Sequence, residues 1–128
     1  MVDQFQVVEA VSRGFRAGES EHPGVKVRHI LCVISGHPPQ DNYNVLKLCQ
    51  KYRASGVVGM DMAGDENCAD FGAKELDLFV EAKNTGVHRT VHAGEDGPAE
   101  NVRKALDELH AERIGHGYHV IDDPELYA

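Results

Sequence analysis

Val87-His88-Arg89-Thr90-Val91-His92-Ala93-Gly94-Glu95 and, further on, Glu112-Arg113-Ile114-Gly115-His116-Gly117 decide how this chain is read. In each stretch a short β-prone run ends on glycine and on a side chain able to do chemistry. Pro98 to His110 lies between them and has a helical pattern. The order is therefore strand, loop, helix, strand, with two histidines and a carboxylate at the strand ends. In an α/β barrel every parallel strand points its C-terminal end at the same face, and that face holds the chemistry. This spacing is expected to bring His92, Glu95 and His116 to one site.

The same alternation extends outward. Val2 to Ala17 reads as an amphipathic helix, with Phe5, Val8 and Val11 (and Val7 and Phe15) at helical spacing. Glu21-His22-Pro23-Gly24 is a turn and Val25 to Ile34 a strand, broken by Ser35-Gly36-His37-Pro38-Pro39. Asn42 to Arg53 is helical, and Val57 to Met62 is a strand ended by Ala63-Gly64-Asp65-Glu66. Glu75 to Lys83 is helical. Pro98 and Pro124 suit a first helical turn. Strict alternation of this kind predicts an α/β fold with a parallel sheet and crossover helices. Four such strands with five helices make about half of a (β/α)8 TIM barrel, which typically needs ~250 residues. The 128 residues are thus expected to form a single partial domain, residues 1–128, the central part of a barrel.

Bulk composition narrows the function. A hydrophobic content of 41% supports a core, and a net charge of -8 argues against a nucleic-acid partner. No run approaches the ~18 apolar residues of a membrane span, so no membrane insertion is expected. No secretory leader is visible, and Cys32, Cys49 and Cys68 lack CxxC spacing. The expectation is a soluble, cytoplasmic protein with three buried or semi-buried thiols. No GxGxxG follows a strand and there is no P-loop.

A lone histidine at a strand end is commonly a hydrogen-bonded structural residue. The nearby Glu95 and the second histidine favour a site, because histidine is a frequent zinc ligand and a carboxylate beside it serves as general acid or base. His88 and His92 share a strand face ~13 Å apart and cannot chelate together. His116, between glycines, is a better candidate than His119. Asp61 reads equally as a polar site residue or as a hydrogen-bonded cap, since a buried carboxylate needs a partner. Gly64 reads as a turn glycine or as a backbone donor. Asp65 and Glu66 read as solvated loop charges, and Cys68 as a spectator.

Taken together, Val57-Val58-Gly59-Met60-Asp61-Met62-Ala63-Gly64-Asp65-Glu66, His88 to Glu95 and Glu112 to His119 resemble adenosine deaminase of the animal type. HAGE and GHG are shared with AMP deaminases and other relatives, whereas the AGDE turn points to adenosine deaminase proper. The resemblance implies a zinc-containing TIM barrel that converts adenosine and 2′-deoxyadenosine, small purine nucleosides, to inosine and 2′-deoxyinosine with release of ammonia. It implies that His92 is a zinc ligand and that Glu95 protonates purine N1, making C6 electrophilic. It makes His116 the histidine that orients or deprotonates the attacking water, and Gly64 the backbone donor to purine N3. Asp61 resembles an acid one layer behind the metal. The family's other zinc ligands, a His-x-His on its first strand and an Asp on its last, have no match here. The loop Asn67 to Gly72 looks shorter than is usual in the family. The resemblance therefore implies an internal segment, inactive by itself. The alternatives are a relative acting on AMP or a modified adenosine, and a non-catalytic truncated product.

Overall fold

The computed structural model of the chain describes residues 3–66 and 73–128. Cys68 and the loop 67–72 lie outside the described residues. The elements run α1 (Gln4–Glu21), β1 (His29–Ile34), α2 (Pro39–Lys51), β2 (Val57–Ala63), α3 (Ala73–Asn84), β3 (His88–Ala93), α4 (Ala99–Asp107), β4 (Arg113–His116) and α5 (Pro124–Tyr127), with 3₁₀ turns at Arg53–Ser55 and Tyr118–Asp122. The four strands form one parallel sheet in the order β1-β2-β3-β4. The α/β alternation expected from the sequence is therefore present.

Strand order is what separates a barrel from an open doubly wound sheet. Crossovers between parallel strands are right-handed, so a sheet that adds strands in one direction keeps its helices on one face. A reversal of order would put helices on both faces. Here the order never reverses. One face packs on the helices through a core that includes Val33, Leu46, Met60, Met62, Leu78, Phe79, Val91 and Leu109. On the other face Ile30 and Val58 stay 44% and 40% exposed. The sheet is an arc, and among the described residues its inner face carries no packed layer.

Several boundaries differ from the sequence expectation, each for a local reason. The helix α1 runs on to Glu21 and β1 starts only at His29. The Glu19 carboxylate accepts hydrogen bonds from the Val27 N–H (2.7 Å) and from Arg28 (3.1 Å). That ties the segment 25–28 back along the helix instead of onto the sheet. Of the apolar residues of α1, only Val8 is buried, while Phe5, Val7 and Val11 are exposed. Helix α4 stops at Asp107 because the Leu109 and Ala111 N–H groups return to the Lys104 and Ala105 carbonyls and His110 turns left-handed. Pro98 caps that helix from outside, whereas Pro124 opens α5 as expected. Cys49 is buried and its thiol is pushed up to about 12 by burial, but Cys32 is exposed on the inner face, contrary to expectation.

Buried polar groups are paired. Asn42 closes the end of β1, accepting from the Ile34 N–H and donating to the Ile34 carbonyl. Ser12 meets the His29 ring at 3.1 Å. Among the described residues no helix is long and apolar enough to cross a membrane.

Among the described residues no further strand pairs with the outer edge of β1 or of β4, and the inner face exposes apolar side chains. Such edges invite association. The 128-residue chain expressed alone is expected to sediment as a mixture of oligomers with a broad thermal transition. A monodisperse monomer with a sharp two-state transition would contradict this.

Candidate functional site

Register brings the chemistry together. Asp61 pairs with Thr90, and His92 pairs with Gly115. Asp61 and His92 therefore face the same inner side, two positions apart along neighbouring strands. The His92 Nδ1 lies 3.0 and 2.9 Å from the two Asp61 carboxylate oxygens. A carboxylate only accepts, so Nδ1 carries the hydrogen, and Nε2 is the ring nitrogen that Asp61 leaves unengaged. Burial raises the Asp61 carboxyl above its ordinary value, and the bond to His92 opposes that rise. Asp61 is thus paired with the His92 ring, a side chain of the neighbouring strand.

Gly115 makes room for this arrangement. A Cβ at that position would sit 3.1 Å from the His92 ring. The imidazole lies over β4 because its cross-strand neighbour has no side chain.

His116 reaches the site by a different route. It pairs with Ala93, a buried residue on the helix side of β3, so strict alternation would turn it away from His92. Its φ of 65° breaks the alternation. The result is a His92–His116 ring separation of 5.2 Å. The His116 Nε2 then stands 3.3 Å from a Glu95 carboxylate oxygen, with both side chains partly exposed. Tyr118 contacts the other edge of the His116 ring at 5.5 Å. Gly64 follows β2 at the same end of the sheet, its backbone beside Ser35.

The structure thus gathers Asp61, Gly64, His92, Glu95 and His116 at the C-terminal ends of β2, β3 and β4. His88 sits at the opposite end of β3, bonded to Glu112 at 2.8 Å, and His119 bonds Asp122 at 2.8 Å. Neither joins the site.

Glu66 corrects the sequence reading. It is not a solvated loop charge but 9% exposed. Its carboxylate accepts from four successive backbone N–H groups, those of Gly94 (2.5 Å), Glu95 (2.8 Å), Asp96 (2.8 Å) and Gly97 (3.0 Å). Burial pushes its carboxyl up, but these bonds outweigh burial and hold it below the ordinary value. The carbonyls of the same turn are also used, Ala93 by the Gly117 N–H and Gly94 by the His119 N–H. Gly94 itself is left-handed at φ 69°, and a Cβ there would come within 2.8 Å of Val102.

The family model described as adenosine deaminase matches residues 2–128. An adenosine deaminase of Danio rerio is 49% identical over 124 residues, covering 94% of this chain and 33% of that protein. One of Rattus norvegicus is 47% identical, covering 95% and 35%. One of Clostridium kluyveri is 37% identical, covering 94% and 34%. The chain spans about a third of the length of the curated relatives it matches. Among solved structures, a zinc-bound amidohydrolase from Burkholderia ambifaria superposes with a TM-score of 0.85 at 28% identity, covering 98% of this chain and 34% of that one. Adenine deaminase from Arthrobacter aurescens gives 0.84 at 27%, covering 98% and 37%. An Arabidopsis protein complexed with GMP gives 0.83 at 26%, covering 98% and 38%. The chain shares the TIM-barrel α/β fold of the first two of these, and its four-stranded arc is about half of such a barrel.

Replacing Gly94 by Ala is expected to cost about 1–3 kcal/mol, from the left-handed backbone and the clash with Val102. Urea denaturation of the variant beside the parent chain measures it. An unchanged midpoint would mean that the turn is not held in this conformation.

Proposed function

The chain belongs to the adenosine deaminase family, and on that premise we propose that it is the central segment of a zinc-dependent barrel enzyme. The reaction is hydrolytic deamination of adenosine and 2′-deoxyadenosine, as part of purine salvage in the cytoplasm. The observation that carries the reading is the Glu95–His116 contact of 3.3 Å beside a histidine already fixed by Asp61. Identities of 46–49% to curated vertebrate adenosine deaminases, against 26% to the GMP-complexed structure, favour the nucleoside over a nucleotide as substrate.

The residues present fit one position of a metal site. With Nδ1 of His92 held by Asp61, Nε2 is the ligating atom, an orientation typical of zinc-binding histidines backed by a carboxylate. Among the described residues no three ligating side chains converge, so the remaining ligands belong to other strands of the complete barrel. When bound, zinc supplies Lewis-acid activation of the attacking water near neutral pH. The chain's own residues do the rest. Glu95 delivers a proton to purine N1, which draws electron density from C6. His116 takes a proton from the water at Nε2 as its oxygen bonds to C6. His116 then hands that proton to the amino group, so the C6–N bond breaks with ammonia as the leaving group, and the remaining hydroxyl proton returns to Glu95 as the C6 carbonyl forms. Gly64 offers its backbone N–H to purine N3.

A graft in which this chain replaces the aligned stretch of the Danio rerio relative tests the assignment. It is expected to deaminate adenosine. In that graft Glu95→Gln is expected to lower kcat by ~10²–10⁴-fold with little change in KM, the usual cost of losing a general acid. Near-normal kcat would remove Glu95 from the role.

The 128-residue chain alone, dialysed against trace zinc, is expected to hold far less than one equivalent of metal and to form no inosine, since catalytic zinc sites use three protein ligands. Stoichiometric zinc, or turnover abolished by a chelator, would show that the site is assembled another way.

A further inference from the structure

The catalytic side chain Glu95 has little of its own to hold it. It is partly exposed, and its carboxylate meets His116. Its backbone is held differently. Four consecutive N–H groups, from Gly94 to Gly97, converge on the single carboxylate of Glu66. Successive N–H groups pointing at one spot form a concave anion site, and helix α4 begins just beyond it at Ala99, adding the positive end of its dipole. Without an anion those dipoles repel one another and are unsatisfied away from water, which costs free energy. The packing around the carboxylate leaves no slack. Asn101 is buried and donates to the Glu66 carbonyl at 3.3 Å. A Cβ on Gly97 would fall 2.9 Å from the Glu66 Cβ and 2.3 Å from the Asn101 amide.

We propose that Glu66 is a positioning residue for the deamination: its buried carboxylate stands in for a bound anion, locks the turn from Gly94 to Gly97, and so aims Glu95 at the purine. This rests on the function proposed above. The Glu66 carboxylate bonds the backbone of the turn, so its effect passes through the backbone of Glu95. Misplacing a general acid by about 1 Å costs on the order of 10²-fold in rate, because the proton must move at the transition state. Substrate binding depends on other groups, so kcat should fall while KM stays.

The test uses the graft described above with Glu66→Gln, which keeps the size of the side chain but replaces one accepting oxygen with an amide that repels the N–H groups. Expected are a fall in kcat of roughly 10- to 100-fold, KM within about threefold of the parent, and exchange of the amides 94–97 faster by about tenfold or more. Glu66→Asp keeps the charge on a shorter arm and should recover part of the kcat. Leu46→Val, a core change on α2, supplies a destabilised control expected to leave kcat and amide exchange in the turn unchanged. The proposal is overturned if Glu66→Gln keeps kcat within twofold, if exchange in the turn is unchanged, or if the control loses as much kcat. A parent graft with no activity would sink the deaminase reading instead, and the exchange measurement would still decide whether Glu66 holds the turn.

Discussion

One carboxylate, that of Glu66, satisfies the four N–H groups of the turn that joins β3 to α4. The candidate site is arranged around that turn. On its strand side stands His92, fixed by Asp61 from the neighbouring strand. Within it stands Glu95. The Gly117 and His119 N–H groups of the next loop bind the turn's carbonyls, which keeps His116 beside Glu95. A carboxylate that accepts several N–H bonds is stabilised in its charged form despite burial, which is why the Glu66 carboxyl is held low. The fixed points of the site are thus two acids, Glu66 acting on backbone and Asp61 acting on a ring.

Much of the fold was legible because its signals are local. Proline, glycine and apolar period mark each strand and helix, and the C-terminal ends of β2, β3 and β4 carry the polar residues that a barrel face requires. The elements misplaced were those set by side-chain contacts that the local apolar pattern does not show. Val25 to Arg28 has a strand pattern but is captured by Glu19. The apolar stripe of α1 is real, yet Phe5, Val7 and Val11 find little to pack on.

The site divides in the same way. His92, Glu95 and His116 stand out by type and position. The route by which His116 joins them does not, because its positive φ overrides strand alternation at a residue where glycine is the usual choice. Glu66 was legible only as a loop charge next to another loop charge. Its partners are backbone groups some thirty positions away, and backbone N–H groups leave no mark in a sequence. The one available signal was the glycine at 97, whose missing side chain admits Glu66 and Asn101.

On the proposed function, the strand ends of this segment form one wall of a purine nucleoside site. A crystal structure of the graft with a bound, non-hydrolysable purine nucleoside, with anomalous scattering used to find the metal, would show whether they do. Expected are purine N1 within about 3 Å of the Glu95 carboxylate, purine N3 facing the Gly64 N–H, and zinc about 2.0–2.1 Å from the His92 Nε2. A purine seated away from Glu95, or a metal bound without His92, would contradict it.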